Sequence, residues 1–169
     1  MARAATSLPG PPPVAATGLT DHEFNHLRGG GAGPIVLATL GVEFDADAAD
    51  FAVDAAIESG LLLIVANVLA LEAMPMSLLL GYSNVLGDPP DLAASLRAPA
   101  VRAYALGAQV ERVRIRTPHR IDALLEFVAE RDAALLVFGP DRGKLSKRLH
   151  RKACRAVRDK APCLVWTNG

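Results

Sequence analysis

Cysteine is scarce: the chain holds two, Cys154 and Cys163. Neither their number nor their spacing builds a disulfide framework or a zinc site, and a reducing, cytoplasmic setting is the simpler expectation. No secretory leader is expected either, since Arg3 is followed by a stretch rich in Ala, Pro and Gly with no apolar core. No stretch reaches the length needed to span a bilayer, about twenty apolar residues. The most apolar run, Leu61 to Leu71, is broken by Asn67 and followed by Glu72 and Pro75, so no membrane partner is expected. Net charge is absent too, because 18 Lys and Arg offset 18 Asp and Glu. The molecule as a whole therefore exerts no long-range pull on nucleic acid or membrane. No internal repeat is visible, and no Gly-x-Ser-x-Gly elbow marks a serine nucleophile.

What remains is a chain of 169 residues, half of them apolar, enough for one domain with a sizeable core. Residues 1–33 read as a disordered or weakly ordered tail. Pro9, Pro11 to Pro13, Gly29 to Gly31 and Gly33 leave little apolar periodicity, with room for one short helix from Thr20 through Phe24 and Leu27. Residues 34–169 read as the folded domain. Ile35 to Leu40 is an apolar strand turned by Gly41, and Ala46 to Ser59 is a helix with Ala48, Phe51, Ala52, Ala55 and Ala56 on one stripe. Asp45, Asp47 and Asp50 suit its start, and Gly60 its end. Leu61 to Ala66 is a second strand, apolar on both faces. Met74 to Asp88 is an apolar connection whose Met74, Met76 and Leu78 to Leu80 read as a satellite core in preference to a partner surface. Asp91 to Leu106 reads as a helix disturbed at Pro99, and Gln109 to Arg116 as an edge strand. Thr117 with Pro118 caps a third helix, which turns Ile121, Leu124, Leu125 and Val128 inward.

The last unit is the most informative. Ala134 to Phe138 is a short strand ending at Gly139-Pro-Asp-Arg-Gly143; a helix from Lys144 to Lys160 follows, with Leu145, Leu149, Ala153, Ala156 and Val157 on one face. Pro162 stops it, and Cys163 to Thr167 is a final strand. Strands alternate with helices throughout, which predicts an α/β fold with an open parallel sheet covered on both faces. A glycine turn leading into a helix start at the end of a strand is where such sheets hold phosphates.

That order, with Leu136-Val-Phe-Gly139, Arg142-Gly-Lys-Leu-Ser-Lys147 and Ala161-Pro-Cys-Leu-Val165, resembles the universal stress protein family over residues 34–169. The resemblance implies a Rossmann-like, five-stranded parallel sheet of order 3-2-1-4-5 and a homodimer, and the last strand is the expected pairing surface because an exposed parallel edge invites another strand. It also implies a nucleotide loop of the pattern Gly-x2-Gly-x9-Gly-Ser/Thr after the fourth strand and a base-contacting Asp at the end of the first. On that pattern Gly139 matches the first glycine. Asp141 stands at the second, in a loop one residue short, with Arg142 and Gly143 following. Arg151 and Lys152 stand at the last Gly-Ser/Thr pair, and Leu40, just before Gly41, stands at the Asp. Long side chains in place of glycine obstruct close backbone approach to phosphate oxygens. The candidate ligand site is thus Gly41, Gly139, Asp141, Arg142, Gly143, Arg151 and Lys152. The expected function is a non-enzymatic stress-response regulator that binds ATP weakly or not at all, without a cofactor. The alternative is an ATP/AMP-binding switch, with Arg151 and Lys152 clamping phosphate and Asp45 or Asp47 holding Mg²⁺.

Further features each have a bland reading beside a functional one. The helix and its loop carry half of all Lys and Arg, from Arg142 to Lys160. Without an interleaved aromatic to stack on bases, they read first as a solvated face. A small anion or acidic protein partner ranks second and nucleic acid last. His22-Glu-Phe-Asn-His26 spells a zinc-protease helix, but its place in the tail, with no third ligand, reads as coincidence. His119 and His150 read as isolated surface residues, and Cys154 as a core residue with no histidine placed to activate it.

Overall fold

The structure, a computed structural model, describes residues 33–71 and 90–168. The His22, Glu23 and His26 match, the tail helix and the connection from Met74 to Asp88 lie outside the described residues. The unit described runs within Ala32–Gly169.

Five strands form the sheet: β1 (Ile35–Thr39), β2 (Leu63–Ala70), β3 (Val110–Thr117), β4 (Leu135–Phe138) and β5 (Leu164–Thr167). All pair in parallel, as the strand-helix alternation predicts, in the order β3-β2-β1-β4-β5 that the resemblance implies. Among the described residues four helices accompany it: α1 (Ala46–Ser59), α2 (Pro90–Ala105), α3 (Arg120–Glu130) and α4 (Lys147–Lys160). Side chains alternate across a strand, so each central strand feeds two cores. Val36, Ala38, Ile64, Ala66, Val68, Leu136 and Phe138 pack with Leu124 and Val128 of α3 and Ala153, Cys154 and Val157 of α4. Ile35, Leu37, Leu63, Val65 and Val137 pack with Ala48, Ala52, Val53 and Ala56 of α1 and Ala100 and Ala103 of α2. Small residues dominate α1 because a helix lying close on a sheet leaves little room for longer ones.

Several boundaries depart from expectation. β2 starts at Leu63, not Leu61, and continues to Ala70 because it pairs along its whole length with β3. Asn67 does not end it, since its side chain finds a partner described below. Thr117 remains in β3 and does not cap α3. The proline after it restricts it to extended backbone, and its hydroxyl accepts from His119 N at 3.1 Å, which postpones the helix to Arg120. Likewise α4 begins at Lys147 and not at Lys144. Lys144 N and Leu145 N are drawn into a turn on Asp141 O, and Ser146 is the cap, its hydroxyl accepting from Leu149 N at 3.3 Å. Pro99 lies inside α2 without ending it.

Candidate functional site

At the carboxyl end of the sheet, the loops after β1 and β4 meet. Gly139 N continues the ladder to Ala38 O at 3.1 Å. Beyond it the two loops are stitched together: Asp45 N donates to Gly139 O at 2.9 Å and Asp141 N to Glu43 O at 2.8 Å, around an antiparallel bridge between Phe44 and Pro140. Gly143 N donates to Asp141 Oδ1 at 2.7 Å. Above them, Lys144 Nζ pairs with Glu43 Oε1. The backbone donors of Asp141, Gly143, Lys144 and Leu145 are therefore all engaged within the protein.

Gly139 has a packing reason of its own. A Cβ built there would lie 2.1 Å from the Ala48 Cβ of α1, so only glycine lets this helix seat on β4 at its present depth. On the neighbouring strand Gly41 has φ +78°. Its N–H donates to Asn67 Oδ1 at 2.9 Å, and the preceding carbonyl, Leu40 O, accepts from Arg120 Nη1 at 2.7 Å. The Leu40 side chain is fully buried in the α3/α4 core.

Sequence spacing brings Gly41, Gly139, Asp141, Arg142 and Gly143 to these two loops. Arg151 and Lys152 are elsewhere, in the second turn of α4 and exposed. Arg151 Nε reaches back along the helix to Lys147 O at 3.4 Å. Residues at the start of that helix are Ser146, Lys147 and Arg148. Two cations in a first turn that holds no acidic residue oppose the dipole. For Mg²⁺, Asp45 is committed as the α1 cap, its Oδ1 accepting from Ala48 N at 3.1 Å, while Asp47 is exposed. Among the described residues no cluster of three or more His, Cys, Asp or Glu is placed to hold a metal.

One expectation about α4 is overturned. His150 sits one turn before Cys154, with both ring nitrogens 3.7 Å from its Sγ and its ring 6.4 Å from that of Phe138. A histidine at i−4 on a helix faces the same way, so the spacing was visible in the sequence. The surroundings of the thiol favour its protonated form. Burial pushes the Cys154 thiol up from its ordinary range, and the nearby Arg158 and Arg142 only partly oppose that. Asn67 and Arg120 escaped sequence reasoning; the one signal was a lone amide inside an apolar run.

Comparison with known proteins accords with this architecture. A family model described as universal stress protein family matches residues 32–167. A universal stress protein solved in complex with cAMP has 25% identity and a TM-score of 0.52, covering 80% of this chain and 96% of its own. A family protein from Burkholderia pseudomallei has 22% identity and a TM-score of 0.54, covering 82% and 97%. The Archaeoglobus fulgidus protein in complex with dAMP has 20% identity and a TM-score of 0.52, covering 81% and 98%. No curated protein sequence gives a significant match. Since the family match takes in every strand and helix described above, the chain belongs to the universal stress protein family.

Proposed function

We propose that the protein is a non-enzymatic regulator of the universal stress type whose loop after β4 binds ATP weakly or not at all. The observation that carries this is the engagement of the loop's own donors: the amides of Asp141, Gly143, Lys144 and Leu145 all bond within the protein. Binding a phosphate there requires breaking those bonds, and Glu43 in the facing loop repels an anion unless Lys144 screens it. Support comes from this closure and not from occlusion by Arg151 and Lys152. The protein is further taken to be a cytoplasmic homodimer joined through β5, whose free cysteines suit a reducing compartment. Leu164, on that edge, is 75% exposed, and an open parallel edge invites another strand.

A nucleotide-binding switch is the second reading. It is favoured by the two similar structures solved with cAMP and dAMP and by the exposed cations of Arg151 and Lys152. Calorimetric titration with Mg-ATP and AMP separates the two. The first expects no saturable heat in the micromolar range. Tight binding of either nucleotide, lost in the Arg151→Ala, Lys152→Ala double variant, would establish the switch instead.

A further inference from the structure

A second, separate place on the molecule carries its own signature. Between α2 and the edge formed by β2 and β3 lies a cavity of about 280 Å³ lined by Val65, Asn67, Leu96, Arg97, Arg112 and Arg114, among others. Register explains the grouping: Arg112 is the β3 partner of Val65, and Arg114 that of Asn67, so both arginines stand on the sheet face that α2 covers. Arg97 comes from α2 itself. No acidic residue is among the described lining residues.

Asn67 is the unusual member. It is 5% exposed, and its Oδ1 is committed to Gly41 N. Its Nδ2 is buried without a hydrogen-bond partner. A buried donor left unmet is costly, and here it lines a polar cavity beside guanidinium groups. Water would meet the amide, but only an acceptor of negative charge meets the amide and the arginines together.

We propose that this cavity binds a compact oxyanion, a phosphoryl or carboxylate group that accepts from Asn67 Nδ2 and is held by Arg97 and Arg112. The volume lies below the roughly 300–1,000 Å³ usual for drug-sized ligands, so the ligand is small. The site is independent of the loop after β4, and its test does not depend on the reading of that loop.

The full chain is titrated with inorganic phosphate, pyrophosphate and citrate, each against sodium chloride at matched ionic strength, with the unfolding midpoint as readout. At least one oxyanion is expected to raise the midpoint saturably. Phosphate and pyrophosphate alone doing so identifies a phosphoryl ligand, and citrate alone a carboxylate. Because both arginines reach the cavity from solvent-exposed positions, Arg97→Gln and Arg112→Gln should fold normally and weaken binding by about tenfold or more each. Asn67→Asp keeps an acceptor for Gly41 N–H but replaces the donor by a carboxylate oxygen, and it should abolish binding. The proposal is overturned if no oxyanion shifts the midpoint beyond the chloride control. It is equally overturned if the shift survives in the Arg97 and Arg112 variants, or is lost only when Arg151 and Lys152 are replaced.

Discussion

Gly139 is the one residue of the presumed phosphate loop that matches the family pattern, and substituting it asks why it is there. If packing explains it, Gly139→Ala must destabilise the protein with no ligand present. The added methyl would sit 2.1 Å from Ala48 Cβ, a contact that must be relieved by moving α1. Overpacking of this kind costs about 3 kcal/mol at its upper end, offset by ~0.7 kcal/mol because alanine restricts the unfolded chain. The net loss is about 2 kcal/mol, or roughly 8 °C in midpoint for a domain of this size.

Ala48→Gly is the diagnostic partner. By itself it should cost about 1.5 kcal/mol, from a lost buried methyl and lower helix propensity. In the double variant the clash disappears, since the next nearest atom to the new Cβ is Ala48 Cα at an ordinary 3.6 Å. The pair should then lose only about 1 kcal/mol where additivity gives about 3.5 kcal/mol, a coupling well beyond experimental error. Urea denaturation of the four proteins measures it. Additive losses, or a Gly139→Ala protein as stable as the parent, would show that glycine is not required by the approach of α1, and the packing account would fail.

Three other outcomes are expected. Asp45→Ala and Ser146→Ala should each lose about 1 kcal/mol in urea, because both side chains accept from the third amide of their helices, Ala48 N and Leu149 N; Asp45→Asn should retain most of it. Burial pushes the Cys154 and Cys163 thiols above their ordinary range. The folded state thus keeps its thiol protons after the unfolded chain, near pH 8.5, begins to lose them, so stability should fall as pH rises from there through the folded values. Denaturation at pH 7.5 and 9.5 should show a decline that Cys154→Ala with Cys163→Ala reduces; an unchanged decline refutes it. Leu164→Lys should convert a β5-paired dimer to monomer in sedimentation velocity, since a charged edge resists strand addition; a dimer that persists would place the interface elsewhere.

The parallel sheet was legible because nearly every buried strand position is apolar and strands alternate with periodic helices; its order came from the family resemblance, not from the pattern. Local choices and global fold agree along β1, β2 and β4. The ends of elements were not legible. Thr117 and Lys144 look like helix starts by residue type, yet a hydroxyl reaching two residues ahead and a turn closed on Asp141 O decide otherwise. The candidate site was only half visible. Counting along the chain brought Gly139 and Asp141 to the loop after β4, whereas Arg151 and Lys152, set at the last Gly-Ser/Thr pair of the pattern, lie in the second turn of α4 and not beside that loop.

This bears on how a retained glycine is interpreted. Gly139 satisfies the family pattern and also satisfies α1, so its identity cannot tell a phosphate cradle from a packing contact. The direction of the neighbouring N–H groups can. A cradle leaves successive amides converging on empty space, whereas here Asp141 N crosses to Glu43 O and Gly143 N folds onto Asp141 Oδ1. An aspartate at the second glycine position does more than add bulk. Its carboxylate accepts from Gly143 N–H, one of the loop's own donors. Asp141→Gly is therefore the single change most apt to reopen the loop. It should free Gly143 N, remove a negative charge, and raise affinity for Mg-ATP measured by calorimetry. If Asp141→Gly folds and binds no better than the parent, donor engagement is not what limits nucleotide binding at this turn.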